Sequence, residues 1–411
     1  MKSLLAGSRV PLLAMSVLSL ASCGGDDSPP TTNVPNSVLI ADFNADGIPD
    51  VAAATTAAAA DGSTPNPGFA SIFLQSRSDV GSFSGGKHFP TGNNPSSIAV
   101  GDLTGLSSSD LVVANFLAGS VSVLLETAAA SGDFLAASNI SVGGHPNEVV
   151  IADLNGDGRK DLAVADDTAS SGRVLVLLED ATTAGQFGTP IALSTTDAAA
   201  GVAVGDLNGD GKPDLVAATA DANGNNGHVV VFFQDPNSAG TFLSPAVFAG
   251  GAQPSAVKIA DVDGDGLPDL IVANAGPGTD GIGSAGASVL LQDEANPGSF
   301  LAPVTYATQS GTVHLVVADL NGDSKPDIVT ANLGPSPTGS VSVLLQDPTR
   351  PGVFLSPVNY AGFGQPLGVA VGDLNNDGHP DIAVADGTTA TMLLQSAATP
   401  GTFASGVQIG N

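Results

Sequence analysis

A repeated acidic motif at nearly regular spacing is the feature of this sequence that most restricts its fold. The copy at residues 206–214 reads Asp-Leu-Asn-Gly-Asp-Gly-Lys-Pro-Asp, and it lies between two short apolar runs. Successive copies begin 51 to 60 residues apart. They open at Asp42, Asp102, Asp153, Asp206, Asp261, Asp319 and Asp373. Repeats of this length indicate a closed or stacked array of small structural units.

Each repeat is predicted to contain four short strands. The first is an apolar run that ends at the loop aspartate, as in Val202–Asp206, and the second leaves the loop, as in Asp269–Ala273. The third ends before a Gln or Glu, and a Gly-x-Phe turn leads into a fourth such as Pro303–Tyr306. Runs of this length, rich in β-branched residues and bounded by Gly, Pro and Asn, are typical of strands. No stretch shows sustained helical periodicity.

Seven such units predict an all-β fold, a seven-bladed β-propeller of four-stranded antiparallel blades over residues 37–411. The acidic loops then join the first and second strands of each blade. An open β-solenoid and a string of separate sandwiches are the alternatives. A ring is favoured because it leaves no long exposed sheet edge, whereas an open array needs distinct polar ends. No strand is shared between the terminal units, so we expect closure by packing of the first blade against the seventh.

The charge balance restricts the partners of this chain. It has 40 acidic and 11 basic residues and a formal net charge of −29, so a nucleic-acid-binding surface is not expected. Carboxylates concentrated in short loops repel one another unless counter-ions are present. The acidity itself therefore points to bound cations.

The spacing of oxygen-bearing residues within each loop predicts calcium binding. Calcium takes six to eight hard oxygen ligands, and magnesium is disfavoured because it demands stricter octahedral geometry. Oxygens at positions 1, 3 and 5 converge, Gly at position 6 reverses the backbone, position 7 offers its carbonyl, and Asp at position 9 closes the site. Five strong Ca²⁺ sites are predicted at 42–50, 153–161, 206–214, 261–269 and 373–381.

Two loops depart from this pattern. Loop 319–327 has Ser324 in place of the glycine and is expected to bind Ca²⁺ more weakly. Loop 102–110 is degenerate, because Thr104, Leu106 and Ser107 replace the inner ligands and the glycine, and no metal is expected there. All loops except 102–110 are predicted to bind a metal. Their predicted ligands are Asp42, Asn44, Asp46 and Asp50; Asp153, Asn155, Asp157 and Asp161; Asp206, Asn208, Asp210 and Asp214; Asp261, Asp263, Asp265 and Asp269; Asp319, Asn321, Asp323 and Asp327; and Asp373, Asn375, Asp377 and Asp381.

The first 36 residues are predicted to direct export and anchoring. Residues 1–22 combine basic residues with an apolar stretch and read as a signal peptide. Leu-Ala-Ser-Cys at 20–23 matches a bacterial lipobox, which predicts lipidation of Cys23; an ordinary secretory signal with an incidental cysteine is the alternative. Residues 23–36 are polar and Pro-rich, as expected of a flexible tether. The predicted location is the cell envelope, lipid-anchored at the outer membrane and facing either the periplasm or the exterior.

The acidic loop and its following strand resemble the FG-GAP and VCBS repeats, whose relatives include the integrin α-subunit propellers. The resemblance covers residues 36–411. It implies that each loop joins the two inner strands of a blade and binds calcium on one face of the propeller. The sequence shows none of the large extra modules of integrins, so integrin-like signalling is not implied.

No catalytic constellation is evident in the sequence. The five histidines, His88, His145, His228, His314 and His379, lie in different repeats without metal-binding spacing. We therefore predict a non-enzymatic calcium-binding scaffold that binds a protein or glycan through the face opposite the calcium loops, where segments 55–68, 219–227, 274–286 and 332–339 are long. The alternatives are an enzyme, a lyase or hydrolase with its site in the propeller channel, and a structural subunit of an envelope complex.

Overall fold

A computed structural model of the protein describes residues 33–57, 67–127, 131–168, 172–195, 197–221, 227–276, 285–334, 338–404 and 406–409. The predicted signal peptide, Cys23 and most of the predicted tether lie outside these ranges, as do the central parts of the four long segments predicted to carry recognition. Within the described ranges, no helix has the length and apolar character needed to cross a bilayer.

The described residues form thirty strands. In the first three blades they are β1 (Asn33–Ala41), β2 (Asp50–Ala57), β3 (Gly68–Phe73), β4 (Gln75–Ser76), β5 (Asp79–Phe83) and β6 (Lys87–Pro90); β7 (Pro95–Gly101), β8 (Asp110–Asn115), β9 (Ser120–Leu124) and β10 (Ser138–Ser141); and β11 (Pro146–Ala152), β12 (Asp161–Asp166), β13 (Arg173–Leu177) and β14 (Ile191–Ser194). In the last four they are β15 (Ala198–Gly205), β16 (Asp214–Ala220), β17 (Gly227–Phe232) and β18 (Ala246–Gly251); β19 (Pro254–Ala260), β20 (Asp269–Asn274), β21 (Gly286–Leu290) and β22 (Val304–Ala307); β23 (Thr312–Ala318), β24 (Asp327–Asn332), β25 (Gly339–Leu344) and β26 (Val358–Phe363); and β27 (Gly368–Gly372), β28 (Asp381–Ala385), β29 (Ala390–Leu393) and β30 (Val407–Ile409).

These strands build seven four-stranded antiparallel sheets, which confirms the predicted seven-bladed propeller. In six blades the sheet order follows the chain order, and in the first it is β1-β2-β3-β6 with a separate β4-β5 hairpin beside it. The second strand of each blade is mostly apolar after its first aspartate, because it lies in the middle of the sheet and is covered on both faces by neighbouring blades. In β8, for example, all six residues from Asp110 to Asn115 are buried.

The ring closes between the first and seventh blades without a shared strand, as predicted. The innermost strand β1 packs against β27. Val38 and Val51 of the first blade join Leu374, Ala383 and Met392 of the seventh in one buried apolar cluster. Burying one large apolar side chain contributes about 1.5–3 kcal/mol to stability, so this cluster stabilises the junction between the two blades.

A glutamine that follows the third strand adds a polar link between neighbouring blades. Gln75 Nε2 donates to the carbonyl of Leu374 at 2.8 Å across the closure, and to Pro49 in its own blade at 2.9 Å. Gln234 makes the same bond to Leu154 and Gln346 to Val262, each at 2.8 Å. The same type of bond therefore supports covalently linked junctions and the closing junction.

At the end of the innermost strand farthest from the acidic loop, a β-bulge directs one side chain toward the next blade. The register of β1 shifts between Pro35 and Ser37, and that of β7 between Pro95 and Ser97. The bulged Asn36 donates to the carbonyl of Pro95 at 2.7 Å, and Ser96 donates to Pro146 at 2.9 Å. Bulges re-aim side chains in this way because the extra residue leaves the ladder.

The folded domain begins earlier than the predicted boundary at residue 37. Strand β1 starts at Asn33, and Val34 and Pro35 pair with Thr56 and Thr55 of β2. The last four residues of the predicted tether 23–36 therefore belong to the first blade. The early start of β1 depends on long-range contacts, because β2 is long enough to pair with residues 33–35 and Asn36 also bonds to the second blade.

Replacing Gln75 with alanine is expected to lower the free energy of unfolding by about 1–3 kcal/mol, because the buried carbonyl of Leu374 and the half-buried carbonyl of Pro49 lose their donor. Gln292→Ala is the matched control, since Gln292 Nε2 donates to Pro268 of its own blade at 2.7 Å. We expect the control to cost less in urea unfolding. Equal losses for the two variants would show that the bond to Leu374 does not stabilise closure.

Candidate metal centre

The seven acidic loops lie together on one face of the ring, each joining the innermost strand of a blade to the next. Eight residues separate these two strands in every blade. At position 6 the backbone takes a left-handed conformation, with φ of 80° at Gly211 and 86° at Gly158. Ser324 takes the same conformation with φ of 65°, which costs a residue with a side chain about 1 kcal/mol. The turn is thus the same in loop 319–327, but it is strained.

The aspartate at position 1 organises the loop backbone. Asp206 accepts the N–H of Gly209 at 2.8 Å and of Asp210 at 3.1 Å through Oδ1, and that of Gly211 at 2.8 Å through Oδ2. Asn208 Oδ1 accepts the N–H of Asp210 at 2.9 Å, and Asp210 Oδ1 accepts that of Lys212 at the same distance. These are Asx-type turns, which fix the loop through its own side chains.

The predicted ligands occupy different depths. Positions 1 and 3 are half-buried in all six loops, and position 5 is exposed except at the half-buried Asp46. Position 9 is fully buried beneath them. Positions 1, 3 and 5 therefore line the outer side of the turn, and position 9 lies under it.

The aspartate at position 9 joins three strands of its blade. Asp214 Oδ2 accepts the N–H of Leu207 at 2.9 Å, and Oδ1 accepts the N–H of Gln234 at 2.8 Å, so the end of the first strand and the end of the third both bond to the second. The degenerate loop keeps this arrangement, since Asp110 accepts the N–H of Leu103 and of Glu126. Position 9 is thus a structural bridge in all seven blades, a role that the sequence analysis missed. The retention of Asp110 was the available signal.

Burial makes the charge of this bridging carboxylate costly. It raises the pKa of Asp50, Asp214, Asp269, Asp327 and Asp381 to about 6. The two accepted N–H groups oppose the shift, while the carboxylates of the same loop add to it by repulsion. A cation above the bridge would favour the charged form.

Loop 261–269 brings the most negative charge together. It has Asp at position 3 where the other five predicted sites have Asn, and the carboxylate oxygens of Asp261, Asp263 and Asp265 lie within 4.8 Å of one another. Burial and the neighbouring carboxylates raise the pKa of Asp263. Carboxylate and amide oxygens are hard donors, so the donor set of these loops fits calcium.

Arginines contact two of the other loops. Arg77 Nε lies 3.0 Å from Asp46 Oδ2, and Arg159 contacts Asp157 Oδ2 within its own loop. Position 5 of these two loops therefore already has a positive partner. The sequence analysis treated all five complete loops as equal, although Arg159 at position 7 was visible in the sequence.

The degenerate loop keeps the turn but has Thr104 at position 3 and Leu106 in place of the carboxylate at position 5. Asp102 still accepts the N–H of Leu106 and of Ser107, so the turn keeps its shape. Thr104 Oγ1 lies 2.9 Å from Ser108 Oγ, which donates to Asp110 Oδ2 at 2.9 Å. The hydroxyls bond to one another and to Asp110, and the side chain of Leu106 is 72% exposed.

Three charged or titratable side chains lie together in the central channel, away from the metal loops. Lys258 Nζ lies 2.7 Å from Glu148 Oε1, and His314 lines the same channel mouth as Glu148. The sequence analysis named His314 only as an isolated histidine and did not select the other two. They lie on three different blades, so no local spacing could reveal them.

Family and fold comparisons agree with this architecture. A model of the FG-GAP-like repeat matches residues 153–217, 209–272 and 329–384, and an FG-GAP repeat model matches residues 311–344. The chain is similar in fold to the periplasmic gluconolactonase of Pseudomonas aeruginosa, with a TM-score of 0.57, 16% identity, and coverage of 83% of this chain and 92% of that one.

A functionally unknown protein from Desulfotomaculum acetoxidans is also similar, with a TM-score of 0.51, 14% identity, and coverage of 83% and 95%. At these identities the likeness concerns the fold alone. No curated protein sequence matches the chain significantly. The matched repeats and the closed ring of seven blades identify the chain as an FG-GAP repeat β-propeller protein.

Proposed function

We propose that this protein is a non-enzymatic, calcium-stabilised binding scaffold held at the bacterial cell envelope by a lipid on Cys23. In this proposal, calcium ions in six acidic loops stabilise one face of the ring, and the opposite face binds a protein or a glycan. The observation that carries it is that six loops with the same carboxylate and amide residues lie on one face of the propeller, and that in one of them the carboxylate oxygens of Asp261, Asp263 and Asp265 lie within 4.8 Å of one another. A Cys23→Ala variant that stays in the membrane fraction would contradict the anchoring.

The electrostatics of the loops support calcium as their partner. Each of the six predicted calcium loops has charged or amide oxygens at positions 1, 3 and 5 above a buried carboxylate, and a divalent cation would offset both the mutual repulsion and the burial cost. An ion bound only by the folded state adds RT ln(1 + [L]/Kd) to stability. With affinities typical of extracellular modules, millimolar calcium contributes on the order of 1 kcal/mol per site.

The contrast between the two faces supports a binding role for the face opposite the metal loops. Eight residues always join the first and second strands, whereas the connections between the second and third strands vary from four residues between β8 and β9 to eleven between β20 and β21. The hydrogen bonds of the acidic turns fix the length of the loops on their face. The other face tolerates variation, and loops of this kind on a rigid scaffold are where recognition is usually found.

An enzyme with its site in the channel is the second candidate. It is favoured by the carboxylate, ammonium and imidazole groups of Glu148, Lys258 and His314, and the Pseudomonas aeruginosa protein of similar fold is named a gluconolactonase. Turnover of a lactone or polysaccharide panel that disappears in Glu148→Gln would replace the scaffold proposal with this one. Stable co-purification with one envelope complex would instead favour a structural subunit.

Calcium is expected to raise the free energy of unfolding measured in urea, and chelation is expected to reverse the gain. Asp265→Asn should remove the contribution of one site, about 1 kcal/mol, because it neutralises one of the three clustered carboxylates. Asp102→Asn in the degenerate loop is the matched control and should keep the full calcium-dependent gain. A gain that is absent in the wild type, or lost equally in both variants, would contradict the calcium assignment.

The pH dependence of stability is expected to change with calcium. The bridging aspartates have a folded-state pKa of about 6 against about 3.9 in an unfolded chain, so in chelator they favour the folded state below pH 4. That contribution is lost as pH rises through 6. Burial lowers the pKa of His314 to about 4 and that of His88, which opposes the trend with fewer groups.

The measurement is a series of urea unfolding curves from pH 4.5 to 7, with chelator or with calcium. Stability should fall with rising pH in chelator, and calcium should flatten or reverse the slope. A chelator series that rises with pH would show that the bridging carboxylates are not held in a costly charged state.

Capture experiments with the calcium-loaded propeller test the binding face. Replacing residues 277–284 with a short Gly-Ser linker should weaken the binding of the captured protein or glycan at least tenfold. Asp102→Asn, in an acidic loop on the other face, should leave binding unchanged. A ligand that binds both variants like the wild type would place recognition elsewhere on the molecule.

A further inference from the structure

The wall of the central channel is almost free of charge except at one place. Side chains alternate along the seven innermost strands, so every second residue faces the channel. At the end nearest the metal loops these positions are all Ala or Gly. Toward the opposite face they are small or aliphatic apart from Ser37, Ser97 and three titratable residues, Glu148 on β11, Lys258 on β19 and His314 on β23. The three titratable groups lie within four consecutive blades.

Glu148 and Lys258 form an ion pair across the intervening blade. Lys258 Nζ lies 2.7 Å from Glu148 Oε1, and Glu148 Oε2 accepts the N–H of Val202 at 3.0 Å. Gly201 makes room for this arrangement, because a Cβ there would lie 3.0 Å from Glu148 Oε2. The side chains are 26% and 14% exposed, so both remain accessible from the channel.

His314 supplies a neutral donor beside this pair. Its Nδ1 is 3.4 Å from the N–H of Val369, a long contact that leaves the ring proton on Nε2. Burial and the nearby Lys258 lower the pKa of His314 to about 4, so the imidazole is uncharged at pH 7. Glu148 and His314 line a cavity of about 80 Å³ at the channel mouth, and Lys258 lines a second cavity, of about 390 Å³, nearer the acidic loops.

We propose that the channel pocket, the place where the Glu148–Lys258 ion pair connects these two cavities beside His314, binds a small carboxylate that has a hydroxyl or amino group on the adjacent carbon. The carboxylate would accept hydrogen bonds from Lys258, which has two N–H groups beyond the one used by Glu148, and from His314. Glu148 would accept the hydroxyl or amino donor of the same ligand. Charge-assisted bonds of this kind are short and strong.

Packing alone does not account for the ion pair. Burying two charges costs several kcal/mol, and well-packed apolar residues of similar volume are often at least as stabilising. The position of Lys258 is occupied by Val150 and Val316 on other blades of the same ring. A ligand that uses both charges gives the pair a role that aliphatic residues could not fill.

The chemistry of the pocket restricts the ligand class. A second carboxylate would meet Glu148 and be repelled, in a protein whose formal net charge is already −29. The matched ligands are therefore small 2-hydroxy acids and 2-amino acids.

Isothermal titration calorimetry with the full propeller tests the proposal. Lactate or alanine should bind saturably, and acetate, which lacks the second group, should bind at least about tenfold more weakly. Lys258→Met and His314→Leu should each weaken the binding of lactate at least about tenfold. Lys87→Met is the matched control, because Lys87 pairs with Asp133 on the outer rim, and it should bind like the wild type.

Glu148→Gln keeps the shape of the pocket and separates the two halves of the proposal. Without its carboxylate, Lys258 is left unpaired, so acetate should bind more tightly and the preference for lactate should shrink. Thermal melting confirms that each variant is folded, and the calcium-dependent gain in stability should be unchanged in all of them. Absence of binding to the wild type, or equal binding to Lys258→Met, would overturn the proposal while leaving the calcium proposal intact.

Discussion

The buried aspartate at the end of each acidic loop is the interaction on which the rest of the structure depends. One carboxylate accepts the N–H at the start of the loop and the N–H after the third strand, so three strands meet at a single side chain in every blade. The bridge places a negative charge in a buried position beneath other carboxylates. The energetic cost of that charge is the reason why the proposed calcium binding would stabilise the fold.

Different hydrogen bonds connect the blades on the two faces of the ring. On the face that carries the acidic loops, the loop side chains bond to their own backbone, and glutamines after the third strands connect neighbouring blades, including the first and the seventh. On the other face, bulged residues such as Asn36 and Ser96 reach the next blade. The closing junction has no shared strand, and it is held by the same packing and hydrogen bonding as the covalently linked junctions.

Sequence reasoning was strongest where the determinants are local. The number of blades, the four strands and the position of each loop follow from turn chemistry that repeats within 51 to 60 residues. It was weakest where distant segments meet. The start of β1 at Asn33 depends on pairing with β2, and the second role of Asp214 depends on the backbone of Gln234. The channel ion pair joins residues 110 positions apart on different blades, so no repeat within one blade reveals it.

Native mass spectrometry of the intact propeller in millimolar calcium is the most direct test of the central claim, that divalent ions neutralise the carboxylate loops above the buried bridges. Five or six tightly held calcium ions per chain, removed together with a loss of stability on chelation, are the predicted result. A chain that keeps its full stability and carries no calcium under these conditions would contradict the account.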